Sequence, residues 1–112
     1  MRHRAAETIL PAAKKKDLGV ITIKPFARGK FLEKRDLEGA DAGLARDMIA
    51  FVLENELVDV CTCGVHTLAH VRENFSASWS ELTPTARRRL DLVAATTPCD
   101  AYPWLENDWR YA

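Results

Sequence analysis

Four side chains of metal-binding or nucleophilic type lie close together in the chain: Cys61, Cys63, His66 and His70. Tetrahedral zinc takes thiolate and imidazole ligands of this kind. Cysteines two apart share one face of a strand, and histidines four apart share one face of a helix. The cysteine spacing argues against a metal, because Cys-x-Cys is not the usual gap of a structural zinc site and buried cysteine often acts as a small hydrophobe. No metal ligand is assigned, and a small Cys/His metal-binding protein stays as the outlying alternative. A second chemistry sits at the same place. Gly64 follows a β-like run, and Thr67 is suited to cap a helix that begins just after it. The free amides of a helix start attract phosphate.

Other chemistry-bearing groups have plainer readings. The triplets Lys14-Lys15-Lys16 and Arg87-Arg88-Arg89 lie on expected helices near acidic residues, and read as solvated helix faces. Trp79, Trp104 and Trp109 could meet a substrate, though such rings more often seal a core or anchor a tail.

The elements that must position these groups follow from periodicity. A helix is expected from Ala5 to Asp17, with Ile9, Ala12 and Ala13 on one side, Pro11 weakening it and Gly19 as the stop. Val20 to Ile23 is a β-branched run between Gly19 and Pro25, apolar enough for a strand covered on both faces. A charged loop from Lys24 to about Asp41 exceeds the usual length and hints at function. From Ala42 to Asn55, Leu44, Met48, Phe51 and Val52 recur with the helical period, with Asp41 as N-cap. A second strand is expected over Val58 to Cys63 and a third helix over Thr67 to Phe75. A fourth helix is capped by Thr83 with Pro84 at its first position and ends near Ala95. Residues 97–112 form a tail without clear period.

This alternation builds parallel sheets flanked by helices. Two parallel strands cannot close a barrel, and they leave both edges unpaired. The chain is therefore expected to be part of something larger, or to associate with itself.

Composition narrows the partners. Sixteen basic residues balance sixteen acidic ones among 112 residues, which is against nucleic acid and against a membrane surface. No apolar run approaches the ~20 residues of a membrane span, and the first residues lack the apolar stretch of a signal peptide. Three cysteines are an odd number and suggest no disulfide framework. A cytoplasmic setting is expected.

Three segments together resemble the aldo/keto reductase family. DLGVITIKPFARGKF, residues 17 to 31, resembles that family's penultimate barrel strand and loop. DMIAFVLENELVDVCTCGVHT, residues 47 to 67, resembles its helix, Asn-x-x-Val, last strand and glycine turn. LAHVRENFSA, residues 68 to 77, resembles the helix after the last strand, and ELTPTARRRLDLV resembles the closing helix. The resemblance covers nearly all of residues 7 to 96. It implies an α/β fold class: a partial TIM barrel with two parallel strands, flanking helices and an irregular C-terminal tail. Residues 1–96 would be the barrel portion and 97–112 the tail. A full barrel needs roughly 250 residues, so this would be its C-terminal part.

The resemblance also implies an oxidoreductase that binds NADP or NAD for carbonyl reduction. The family's catalytic Asp, Tyr, Lys and His come from earlier strands, and no position here matches them. Tyr102 and Tyr111 cannot be carried over as proton donors. Cofactor contacts fall on Lys24, Pro25, Ala27 and Arg28 along the pyrophosphate, and on Gly64, Val65, His66 and Thr67 beside the adenosine phosphate. Glu73 and Asn74 approach the adenine edge. Where many members place a Lys-Ser pair and an Arg at the 2′-phosphate, this chain has Gly64, Val65 and His70, so NADP and NAD both stay open. Tyr102, Trp104 and Trp109 become candidates for the substrate pocket. Some members carry an iron–sulfur cluster in a cysteine-rich extension, a pattern Cys99 alone does not reproduce. The expected partner is a small carbonyl substrate, once the missing barrel is supplied. The chain alone is expected to be inactive. The alternative of another class is a non-catalytic half-barrel module that forms a homo-oligomer.

Overall fold

The computed structural model describes residues 5–97. Within them lie four α-helices and two short strands: α1 (Ile9–Lys15), β1 (Ile21–Ile23), α2 (Leu44–Leu53), β2 (Val60–Thr62), α3 (Leu68–Ser76) and α4 (Pro84–Thr96). Short 3-10 turns occupy Ala5–Glu7, Ala27–Gly29 and Ala77–Trp79. The protein is thus a small α/β protein. Its two strands pair in parallel, with Ile21 opposite Val60, Thr22 opposite Cys61 and Ile23 opposite Thr62. A parallel pair needs a long crossover, and α2 lies within it.

The core is built on α2. Ile49 and Ala50 pack with Ala77, Leu82 and Ala86, while Leu44 and Met48 pack with Val93 of α4. Phe26 and Leu90 touch both clusters and join them. The chain reaches β2 through a turn built by Asn55. Its side-chain oxygen accepts from the Leu57 amide at 3.0 Å, and its carbonyl accepts from the Val58 amide at 2.8 Å. This is the physical content of the Asn-x-x-Val pattern. The β1 entry is fixed in turn by Val20, whose amide donates to the Asp59 carboxylate at 2.7 Å.

Several expectations are corrected. Among the described residues, the first strand is covered on one face rather than both. Thr22 and Cys61 turn toward the side where Cys61 meets the core, whereas Ile21 and Ile23 are 67% and 63% exposed and Val60 is exposed beside them. Among the described residues, helices cover one face only. Phe51 is exposed rather than inward. The buried arc of α2 is Leu44, Ala45, Asp47, Met48, Ile49 and Ala50, because it meets β2, α3 and α4 together. Asp41 does not cap α2. Gly43 takes that place with φ 74°, and the Asp41 carboxylate accepts from the Asp36 amide instead.

The first helix is shorter than expected and buries nothing. The expected span is split ahead of Pro11, into a 3-10 turn over Ala5–Glu7 and α1 from Ile9, and Pro11 itself stands at the third helical position, where no amide partner is lost. Asp17, not Gly19, takes the left-handed stop at φ 54°, with Leu18 N–H bonded to Ala13 O and Asp17 N–H to Lys14 O. That is the Schellman pattern. Residues 98–112 lie outside the described region, and with them most of the tail. No helix among the described residues is long and apolar enough to cross a membrane.

Candidate functional site

The parallel register decides where the candidate residues meet. Because Ile23 lies opposite Thr62, Lys24 and Cys63 leave the sheet at the same end. In parallel α/β architectures this carboxyl end is where ligand loops are built.

The loop after β1 is tightly turned. Lys24, Ala27 and Arg28 all adopt positive φ, at 59°, 48° and 60°, and Gly29 follows at 89°. A left-handed conformation costs a residue with a Cβ about 1–2 kcal/mol. Three of them within five residues are strain that the surroundings must hold in place. Backbone bonds supply part of the hold. Ala27 N–H donates to Lys24 O at 3.0 Å, and Gly29 N–H to Phe26 O at 2.9 Å. Phe26 adds to it by packing against both core clusters. Pro25 and Ala27 are half-buried, whereas Lys24 and Arg28 are exposed. An open groove of about 530 Å³ runs past Arg28, Gly29, Lys30, Leu32 and Glu33.

The loop after β2 is open to solvent at Gly64, Val65, His66 and Thr67. A Cβ on Gly64 would meet nothing within 4 Å, so the fold leaves room above that turn. Thr67 caps α3 as expected, its hydroxyl accepting from His70 N–H at 3.1 Å. The amides of Leu68 and Ala69 belong to the first turn and have no acceptor within the helix. His66 and His70 are exposed, with ring centroids 6.5 Å apart and edge-on. One turn further, Glu73 and Asn74 are half-buried. Asn74 Nδ2 donates to Cys63 Sγ at 3.3 Å, which ties α3 to the end of β2.

The cysteines and histidines do not converge. Cys61 and Cys63 pack against the Ile49 cluster, while His66 and His70 face solvent. Among the described residues no three His, Cys, Asp or Glu side chains are grouped to hold a metal ion. Burial and then the neighbouring Cys61 push the Cys63 thiol above its ordinary value, against a downward pull from the Asn74 hydrogen bond. Trp104, Trp109 and Tyr102 lie outside the described residues.

One feature was not expected from sequence. Asp47 is 4% exposed, and its carboxylate takes Arg46 at 2.7 Å and Arg89 at 2.5 Å. These groups line a cleft of about 310 Å³ with Glu81, Thr83 and Thr85. The available hint was a carboxylate three residues after Leu44 and one before Met48, inside the apolar stripe. Glu54 makes a similar tie, accepting from Leu82 N–H and from the Arg87 guanidinium.

Set beside known proteins, the chain matches no family model, no curated protein and no solved structure.

Proposed function

We propose that this chain is the nucleotide-cofactor end of an aldo/keto-reductase-like barrel. In this reading it binds NADP or NAD and, in a complete barrel, helps transfer hydride to a carbonyl. The carrying observation is the strand register, which sends the Lys24–Arg28 loop and the Gly64–Thr67 helix start out of the same end of the sheet. The strained backbone at Lys24, Ala27 and Arg28 adds support, since such strain gathers at ligand clamps. Lys24, Arg28 and the first-turn amides of α3 would hold the phosphates. Pro25 and Ala27 would line their path, Val65, His66 and His70 would flank the adenosine phosphate, and Glu73 and Asn74 would meet the adenine. The dinucleotide supplies the hydride chemistry when bound, and the protein binds and orients it. No residue of this chain matches the family's proton donor, so the chain alone has no turnover.

The test is titration of the full chain with NADPH and NADH, followed by tryptophan fluorescence. Saturable quenching by either is expected. Absence of binding at millimolar concentration of both would overturn the reading. Oxidation of NADPH by the chain alone with an aldehyde, above the rate in buffer, would overturn the claim of inactivity.

A second reading is favoured by a different observation. Among the described residues, Ile21, Ile23 and Val60 are exposed on one face of the sheet, and neither strand has a second partner at its outer edge. A surface of that kind favours self-association. Sedimentation velocity distinguishes the two: an oligomer that Ile23→Lys dissociates supports a self-associating module, and a monomer at all concentrations removes it.

A further inference from the structure

Cys61 and Cys63 stand two residues apart, one in β2 and one just past its carboxyl end, and both pack against the core cluster of Ile49, Ala50 and Leu82. Their side chains therefore leave the same face of the strand, and the alternation of β2 carries through to Cys63. Both are free thiols and partly exposed, so a small ion can reach them. Two rises of an extended strand put their Cα atoms about 6.6 Å apart, with the Cβ bonds side by side. That is close to the upper limit of what a disulfide spans, and a disulfide needs Cβ bonds that converge. A direct S–S bond is thus disfavoured, whereas one atom placed between the sulfurs lengthens the bridge to fit.

What else is at hand selects that atom. Structural zinc is held by a tetrahedron of ligands. Among the described residues no three His, Cys, Asp or Glu side chains are grouped to hold a metal ion, so the two thiols lack the partners for such a shell. A soft ion of low coordination number is satisfied by two thiolates alone, and cuprous copper is a soft ion that thiolates select. We propose that Cys61 and Cys63 form a two-coordinate site for Cu(I). Binding forms two Cu–S bonds and breaks two S–H bonds. Both protons go to solvent, and no atom changes oxidation state. One positive ion between two thiolates leaves a single negative charge. Asn74 meets that charge, since its Nδ2 donates to Cys63 Sγ at 3.3 Å. The site does not depend on nucleotide binding.

The experiment is an anaerobic titration of the reduced full chain with Cu(I) in competition with bathocuproine disulfonate, read from the loss of the colour of the copper–chelator complex. Wild type is expected to withdraw one Cu(I) per chain. Cys61→Ser and Cys63→Ser are each expected to abolish the withdrawal, because a hydroxyl is a hard and poor ligand for this ion. Cys99→Ser is expected to retain it, which sets the site apart from any pairing through the third cysteine. Asn74→Leu is expected to bind about tenfold more weakly, as the loss of a hydrogen bond to a metal ligand does. X-ray absorption at the copper edge is expected to show two sulfur neighbours and no nitrogen. Circular dichroism checks that each variant folds. Where a serine variant does not, Cys61→Val or Cys63→Val keeps the apolar packing and is expected to give the same loss. The proposal is overturned if wild type withdraws no copper, if a folded Cys61 or Cys63 variant still does, if Cys99→Ser loses it, or if the copper shell holds an imidazole nitrogen or a third sulfur.

Discussion

Arg89, on α4, donates to the carboxylate of Asp47 on α2 at 2.5 Å and to the carbonyl of Ala42 at 3.0 Å. One guanidinium thus ties the last helix to both the start and the body of the central one. Removing either partner leaves a charge behind, but the two cases differ. Asp47 is almost fully buried, whereas Arg46 and Arg89 are partly exposed. An abandoned buried charge costs more than an abandoned charge that reaches water. Arg89→Met is therefore expected to cost about 2 kcal/mol, held to that size because Arg46 still pairs with the carboxylate, and Asp47→Asn roughly half as much, because the two arginines it leaves reach water. Urea denaturation of the two variants checks the order as well as the size. Equal and negligible losses would show that the tie contributes nothing.

Two glycines give a paired test. Gly43 sits at φ 74°, and a Cβ there would come within 3.0 Å of the Arg46 guanidinium. Gly43→Ala is expected to lower stability by about 1–2 kcal/mol. Gly64 has open space around it. Gly64→Ala should leave the melting temperature unchanged and, if the proposed nucleotide site is right, weaken NADPH binding, since a methyl group would then stand where that proposal puts a phosphate. Thermal melts and the fluorescence titration read the two effects separately.

Arg28 separates strain from binding. Its left-handed backbone favours glycine by about 1 kcal/mol, and part of that is cancelled by the greater freedom of glycine in the unfolded chain. Arg28→Gly is expected to be neutral to slightly stabilising, and to weaken binding of either dinucleotide with a shallower salt dependence. A stability loss above about 1 kcal/mol would mean that the side chain, not the backbone, holds the loop.

The Cys63 thiol carries a pH dependence of known sign. Its folded value lies above the ordinary value of 9.0. Between the unfolded and folded values the folded state holds the proton more often, so stability falls as pH rises through that window. The contribution is intact below about pH 9 and is lost above it. In the difference between wild type and Cys63→Ser, melting temperatures should run parallel from pH 6 to 8 and converge at alkaline pH. Parallel curves throughout would show that the thiol is not perturbed.

What was legible in the sequence was whatever a local rule governs. Thr67 and Thr83 are both caps, Pro84 opens α4, and the two β-branched runs pair in parallel. Local patterning failed where a third element intervenes. Phe51 obeys the helical period and still faces solvent, because the direction of burial on α2 is set by β2, α3 and α4 together. Asp41 has the right chemistry for a cap but lies two residues too early, and Gly43 turns the chain instead. Apolar content in β1 does not say whether a second layer covers it, and among the described residues helices lie on one face only. At the candidate site, the order of residues was legible, whereas the sulfur–amide contact between Cys63 and Asn74 was not, since it depends on how α3 leans back over the end of β2.

The strand pairing has a consequence for how the molecule assembles itself. Ile23 and Val60 belong to neighbouring strands, yet residues 24 to 59 must be traversed between them. Closing so long a stretch is unfavourable until something gathers its ends. Among the described residues α2 is the element within that stretch that packs on β2. Docking of α2 should therefore precede the ladder, and the amides of β1 and β2 should gain protection from exchange no sooner than those of Met48 to Leu53.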